Sequence, residues 1–238
     1  MVVSNKHLFV EDKETKEVFV KLNPEWEKEQ QKARYDIFLK KSKIPKDYWD
    51  LDFDIYKGNK SVKAFNRAKE YATGCRNPKF HNNSLYLHGE QSSQKSMVGC
   101  AIGKEFIRQG LTVRFILAGE LINNLMKLQG FSSDEDISYE IKKFKYDTDL
   151  LIIDDAFDKN KSLMWETTNK TMIIQEWDSF LRHLISHDIR IIMTSNYRLD
   201  DRIKRLFGVS IFELVDRNFE QLLFEDNIKD VRKERLKE

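Results

Sequence analysis

Residues 89–96 nearly match the phosphate-binding pattern GxxxxGK(S/T), reading Gly-Glu-Gln-Ser-Ser-Gln-Lys-Ser. In such a loop, successive backbone N–H groups point into one concavity and bind phosphate at a helix N-terminus, whose partial positive charge favours an anion. The lysine reaches the β- and γ-phosphates, and the hydroxyl after it is a ligand of Mg²⁺. The pattern predicts an ATP·Mg²⁺ site in which Ser96 contacts the metal. The nucleotide contacts are expected from Gly89, Glu90, Gln91, Ser92, Ser93, Gln94, Lys95, Ser96 and Met97.

The loop departs from the pattern at Gln94, which stands where the second glycine belongs. Glycine at this position lets the backbone approach phosphate closely and take angles that are costly for other residues. The side chain of Gln94 either narrows the phosphate cradle or donates to phosphate through its amide, and both alternatives stay open. A chance polar turn holding Gly89 and Lys95 is open as well. We therefore expect nucleotide binding and an ATPase activity that Gln94 weakens.

Two other groups of polar residues follow apolar runs typical of parallel strands buried on both faces. Asp154 and Asp155 follow Leu150–Ile153, and Asn196 follows Arg190–Ser195. Polar groups at the carboxyl ends of such strands lie where open α/β sheets bind ligands. We expect Asp154 to hold Mg²⁺, Asp155 to polarise the attacking water, and Asn196 to orient that water or contact the γ-phosphate. Ordinary strand ends are the alternative, since Ser and Asn favour turns.

The elements around these residues have the order that the chemistry requires. A short buried strand, Ser84–His88, precedes the loop, and a helix with an apolar face, Met97–Gln109, follows it. The remaining pattern predicts these elements: strands 112–117 and 221–224; helices 61–73, 118–129, 134–144, 171–186, 200–206 and 209–217; a polar loop 158–171; and an exposed terminal helix 226–238.

In their order and combination, these segments resemble the DnaC/DnaI-type replicative helicase loaders of the AAA+ ATPases. The resemblance covers about residues 43 to 235 and rests on Lys43–Trp49, Leu87–Gly89, Lys95 with Ser96, Leu151–Asp155, Thr194–Asn196, Val215–Arg217 and Asp230–Arg232. It implies an α/β AAA+ P-loop fold, with a five-stranded, mostly parallel sheet flanked by helices. The expected domains are an ATPase domain at 43–238 and a small N-terminal module at 1–42, either a helicase-docking module or a structural arm.

The resemblance also implies roles for two arginines and a set of partners. Arg217 corresponds to an arginine finger that acts on the nucleotide of a neighbouring subunit, and Arg232 to a sensor arginine that acts in its own subunit. A finger in trans implies a homo-oligomer formed on ATP and DNA. The implied partners are a replicative helicase and single-stranded DNA. The alternative for both arginines is an ordinary surface ion pair.

The candidates for DNA contact lie in the predicted helix at 134–144 and just after it. In the loaders this region lines the channel for single-stranded DNA, and here it carries Lys142, Lys143 and Lys145. Four acids nearby, at 134–136 and 140, make the segment mixed in charge, so the lysines alone are the candidates. Residues 57–79 are also strongly basic, and their exposed face is either only solvated or a contact for the phosphate backbone.

Composition limits the class of protein without deciding its function. The net charge of +2 does not indicate a nucleic-acid binder, so any such binding must be local. Cys75 and Cys100 form no Cys-x-x-Cys pair, which argues against zinc and for reduced thiols. With neither an apolar signal core nor a spanning run in the sequence, we expect a protein of the bacterial cytoplasm with no membrane partner. The short, lysine-rich chain also fits a bacteriophage origin and a part in a primosome.

Two alternatives to a helicase loader stay open. A transposition ATPase of the related IstB type would share the fold but act on double-stranded DNA. A loader mimic that hydrolyses ATP poorly or not at all would act only by binding a host loader or helicase. Gln94 is the residue that keeps the second alternative open.

Overall fold

The computed structural model of the protein describes residues 6–11, 14–15, 18–77, 84–129, 135–157 and 170–226. Within these residues, no helix combines the length and apolar character needed to cross a lipid bilayer. The predicted loop at 158–171 lies almost wholly outside the described residues. So do Arg232 and all of the predicted terminal helix except its first residue.

The elements alternate between strands and helices over most of the chain. The strands are β1 (His7–Glu11), β2 (Val18–Leu22), β3 (Ser84–Gly89), β4 (Val113–Leu117), β5 (Leu150–Asp154), β6 (Arg190–Ser195) and β7 (Phe219–Phe224). The helices are α1 (Pro24–Ser42), α2 (Val62–Thr73), α3 (Lys95–Arg108), α4 (Ala118–Gln129), α5 (Glu135–Tyr146), α6 (Lys170–Ser186), α7 (Asp201–Phe207) and α8 (Val209–Asn218). Two short 3-10 helices, Lys46–Tyr48 and Phe53–Ile55, join α1 to α2.

Five of the described strands form one sheet in the order β4-β5-β6-β3-β7. Every neighbouring pair in it is parallel. The three central strands are buried along almost their whole length, which explains their continuous aliphatic runs. The predicted α/β fold with a five-stranded sheet is confirmed, and parallel pairing extends to its last strand.

Apolar side chains pack on both faces of this sheet. One core lies under α4 to α8, and its largest member is Trp177. The other lies under α2 and α3, with Leu39 from the end of α1 and Leu51 from the linking segment. All of the polar strand ends therefore emerge along one edge of a three-layered domain, between two helical layers.

The N-terminal described residues form a β-hairpin followed by α1. Asn23 caps the helix by accepting from the Glu25 N–H at 3.0 Å, and Pro24 takes the first helical position. Strand β2 is exposed along its length, whereas the last turns of α1 pack against β4 and α3. The boundary between 1–42 and 43–238 stays a prediction.

The end of the described structure differs from the sequence-based expectation in two ways. The last strand begins at Phe219, two residues earlier than predicted, because its backbone pairs with β3 from Ser84 onward. Arg67 of α2 also binds both carboxylate oxygens of Glu220, at 2.6 and 2.7 Å. Asp226 is wrongly predicted as the first residue of an exposed helix. It lies just after β7 with only 4% of its surface exposed, because backbone N–H groups surround its carboxylate.

Candidate nucleotide site

The phosphate loop runs from the end of β3 to the start of α3, and Gly89 sets its entry. The φ angle of Gly89 is +142°, which L side chains rarely adopt. A Cβ built on Gly89 would stand 1.9 Å from the carbonyl oxygen of Phe224 in the neighbouring strand. Glycine is therefore required by backbone conformation and by space together.

Gln94 has a left-handed backbone conformation, the kind that favours glycine. Its φ and ψ are 63° and 17°, in the left-handed region, and Ser92 is left-handed too, with φ of 64°. The side-chain Oε1 of Gln94 accepts from the N–H of Lys57 at 3.4 Å. The amide Nε2 is buried and has no hydrogen-bond partner among the described residues. The side chain thus links the loop to a segment ahead of α2 through its oxygen.

Lys95 points into the loop and contacts its backbone. Its Nζ donates to the carbonyl oxygens of Gly89 at 3.2 Å and Glu90 at 2.6 Å, and to Ser93 Oγ at 3.0 Å. Burial lowers the pKa of Lys95 to about 8, although the nearby charges of Asp155, Asp154 and Glu90 act in the opposite direction. The ammonium therefore occupies the concavity in which the pattern places phosphate.

The other members of the loop differ in exposure. Ser93 and Met97 are buried, Ser96 is half-buried at the start of α3, and the side chains of Glu90, Gln91 and Ser92 are exposed. The N–H of Glu90 donates to Phe224 O at 3.2 Å and so holds the loop against β7.

Asp154 and Asp155 lie at the end of β5, and Thr194 of β6 binds both residues. The hydroxyl of Thr194 donates to Asp154 Oδ1 and accepts from the N–H of Asp155 at 3.1 Å. Asp155 is left-handed, with φ of 56°, and the next N–H, of Ala156, donates to Thr194 O at 2.8 Å. Sequence reasoning assigned no role to Thr194, because its contact with Asp154 joins two strands.

Asn196 is exposed just after β6, next to β3, and hydrogen bonds to the following residue hold its turn in place. The hydroxyl of Tyr86 donates to Tyr197 O at 2.6 Å, and Ser195 Oγ accepts from the N–H of Tyr197 at 3.1 Å. The backbone on either side of Asn196 is thereby held in place while its amide faces solvent.

His88 is a second residue at this edge that sequence reasoning missed. It is buried directly before Gly89 and stacks on Tyr86, with the ring centres 5.3 Å apart. Burial, with the positive charges of Arg198 and Lys95, lowers the pKa of His88 to about 4, so the imidazole is neutral at physiological pH. Its only sequence signal was its place immediately before the loop glycine.

The described residues fit ATP·Mg²⁺ chemically. They contain no group of three His, Cys, Asp or Glu side chains that would hold a metal by themselves. Mg²⁺ typically takes one or two protein oxygens and completes its shell with water and substrate phosphates. Ser96 and Asp154 supply such oxygens beside a loop that contains Lys95.

The remaining candidates lie on other elements. On α5, Lys142 is exposed, Lys143 lies 3.9 Å from the ring centre of Tyr139, and Lys145 lies 6.0 Å from that of Phe180. Arg217, on α8, pairs with Glu213 at 3.1 Å, and 74% of its side chain is exposed.

No protein-family model matches the sequence, and no curated protein matches it either. Solved structures do match the fold. The crystal structure of the DnaC helicase loader has a TM-score of 0.62 at 17% identity, over 76% of this chain and 100% of that one. For the crystal structure of DnaI, the TM-score is 0.59 at 15% identity, over 76% and 92%.

A third match is the replication initiator DnaA bound to AMPPCP and single-stranded DNA. Its TM-score is 0.56 at 18% identity, over 79% of this chain and 55% of that one. At such low identities these likenesses establish the fold alone, and they agree with the predicted α/β fold in which helices flank a five-stranded sheet.

Proposed function

We propose that this protein is an ATP-dependent helicase loader. It would bind ATP·Mg²⁺ and single-stranded DNA and deliver a ring-shaped replicative helicase when DNA replication begins. The observation that carries the proposal is the convergence of Lys95, Asp154 and Asp155 at one edge of the sheet, within the fold of DnaC and DnaI. A chance polar turn would not place a buried lysine beside the acids of another strand.

Each residue of the edge has a defined task in this proposal. Lys95 would exchange the loop carbonyls for phosphate oxygens, which bear more negative charge and bind an ammonium more strongly. Asp154, oriented by Thr194, would share with Ser96 the binding of Mg²⁺, which neutralises phosphate charge when bound. Asp155 and Asn196 would hold the attacking water from two neighbouring strand ends.

The proposed contacts with a neighbouring subunit and with DNA lie on helices α8 and α5, outside the phosphate loop. Arg217 is exposed and, among the described residues, pairs with a side chain one helical turn away, so a neighbouring subunit could reach it. Lys142, Lys143 and Lys145 would contact phosphates of single-stranded DNA. Tyr139, beside Lys143 and 61% exposed, offers an aromatic face to a base.

The test combines nucleotide binding, turnover and capture of a helicase. Wild type should bind a fluorescent ATP analogue, hydrolyse ATP faster with single-stranded DNA, and capture a replicative helicase. Lys95→Ala should lose binding and turnover, whereas Lys32→Ala, at an exposed lysine on α1, should keep both. A wild-type protein that binds neither nucleotide nor helicase would refute the proposal.

The loader mimic remains a second candidate because of two observations at the loop. Gln94 occupies the glycine position, and Lys95 already has three acceptors from the protein. Helicase capture without measurable turnover would favour the mimic. Preference for double-stranded DNA and capture of a transposase would favour the IstB-type alternative.

A further inference from the structure

Asp226 binds a set of hydrogen-bond donors from the segment before α2. Its Oδ1 accepts from the N–H groups of Asn59 at 3.0 Å and Lys60 at 2.9 Å. Its Oδ2 accepts from the N–H of Ser61 at 2.8 Å and the hydroxyl of Tyr56 at 3.0 Å. These donors stabilise the carboxylate and, against the effect of burial, hold the pKa of Asp226 far below its usual range. We call residues 56–61 the bridging segment.

Close side-chain packing also holds the bridging segment in place, in addition to these hydrogen bonds. A Cβ on Gly58 would lie 2.2 Å from the Tyr56 hydroxyl and 2.6 Å from Asp226 Oδ2, so a larger residue would displace these side chains. The ring of Tyr56 stacks on Phe65 of α2, with the centres 4.2 Å apart. The bridging segment is thus seated between α2 and the end of β7.

Hydrogen bonds connect the bridging segment and the end of β7 to the phosphate loop at two points. On one side, β7 pairs with β3, and the N–H of Glu90 donates to Phe224 O, two residues before Asp226. On the other side, the N–H of Lys57 donates to Gln94 Oε1. The loop, the end of β7 and the bridging segment therefore form a closed ring of contacts. A glycine at 94 has no side chain to complete it.

We propose that Gln94 and Asp226 are positioning residues that hold the bridging segment against the phosphate loop and slow the entry and release of nucleotide. The inference rests on the proposed nucleotide site for its consequence, but the ring itself is a property of the free protein. Gln94, where the pattern has glycine, therefore adds a contact. Its backbone is left-handed, as glycine favours, and its side chain accepts a hydrogen bond from Lys57.

Amide hydrogen exchange without nucleotide tests the ring directly. Wild type should protect the amides of 57 and 59–61. Gln94→Asn tolerates the left-handed backbone but is one methylene shorter, so exchange at Lys57 should rise about fivefold, as expected for one lost hydrogen bond. Gln94→Glu keeps the length and the acceptor and should restore protection, and Lys32→Ala, at an exposed lysine on α1, should leave exchange at Lys57 unchanged. Unchanged exchange at Lys57 in Gln94→Asn overturns the inference.

Asp226→Asn tests the other side of the ring, and Tyr56→Phe is the milder variant should that protein fold poorly. Either variant should speed amide hydrogen exchange at residues 59–61. The faster exchange should extend to Lys57. Stopped-flow release of a fluorescent ATP analogue should become about fivefold faster in Gln94→Asn and in Asp226→Asn. Release at the wild-type rate in both would refute the gating role even with the ring intact.

These outcomes separate the inference from the proposed function. If wild type and every variant bind no nucleotide, the proposed ATP site fails, and with it the role in nucleotide exchange. Hydrogen exchange would still decide the ring in that case. Suppose instead that wild type binds nucleotide, and that Gln94→Asn changes neither amide hydrogen exchange at Lys57 nor the release rate of the ATP analogue. The nucleotide site then stands, and the positioning role of Gln94 fails.

Discussion

The protonation of Lys95 links nucleotide affinity to pH. Because burial lowers its pKa to about 8, the ammonium is charged below that pH and loses its charge as the pH rises through it. Affinity for an ATP analogue should therefore hold steady to about pH 7 and fall severalfold by about pH 9.5. Equilibrium titration across this range measures the effect. Lys95→Arg, which stays charged, should show weaker affinity with no such fall.

Gly89 and Gly99 form a matched pair for testing the loop entry. Gly89→Ala must place a Cβ against the Phe224 carbonyl at an unfavourable φ, so we expect a loss of about 3 kcal/mol or more in unfolding free energy. Gly99→Ala, within α3, meets only side-chain carbons at 3.6 Å and beyond, and should be neutral or gain up to about 1 kcal/mol. Urea denaturation of both variants checks this, and equal effects would contradict the expectation.

At the scale of elements, Lys104 of α3 anchors the segment between α1 and α2. Its side chain has 0% exposure, and its Nζ donates to the carbonyls of Trp49 and Leu51 and pairs with Asp52 at 2.9 Å. The segment is thereby fastened to the helix that begins at the phosphate loop. No local sequence pattern distinguished Lys104 from the other lysines of the chain.

Lys104→Met should therefore destabilise the protein strongly. The change leaves two carbonyls and a carboxylate without their buried partner, which typically costs about 3 kcal/mol. Arg108→Gln is the control, because Arg108 pairs with the same carboxylate but is 40% exposed, and we expect a loss below about 1 kcal/mol. Thermal and urea unfolding would measure both, and a larger loss in the control would contradict this account.

At the scale of the whole molecule, Arg217 tests whether the protein works as an assembly. Arg217→Ala removes an exposed ion pair, so stability should change by less than about 0.5 kcal/mol and nucleotide affinity should stay as in wild type. ATP-dependent assembly should be lost, and turnover should fall by about a hundredfold or more.

Arg205→Ala, an exposed arginine on α7, is the control for this prediction and should leave assembly intact. Light scattering with ATP and single-stranded DNA measures assembly. Unchanged assembly and turnover in Arg217→Ala would remove the finger role and leave Arg217 as a surface ion pair.

Local patterns alone predicted the phosphate loop, the two acids at the end of β5 and the alternation of strands and helices. Continuous aliphatic runs identify strands buried on both faces, and period and capping residues identify helices, so this information lies within short windows. The β3, loop, α3 order around Lys95 and the strand end at Asp154 were predictable for that reason.

Only the tertiary structure decided what these residues contact. Thr194 joins Asp154 from another strand, and Asp226 binds Ser61 across 165 residues of sequence. The side chain of Gln94 turns to Lys57, and the pKa of His88 falls because the fold buries it beside two positive charges. Such contacts join residues that no sequence window contains together, because packing brings them close only when the sheet and both helical layers have formed.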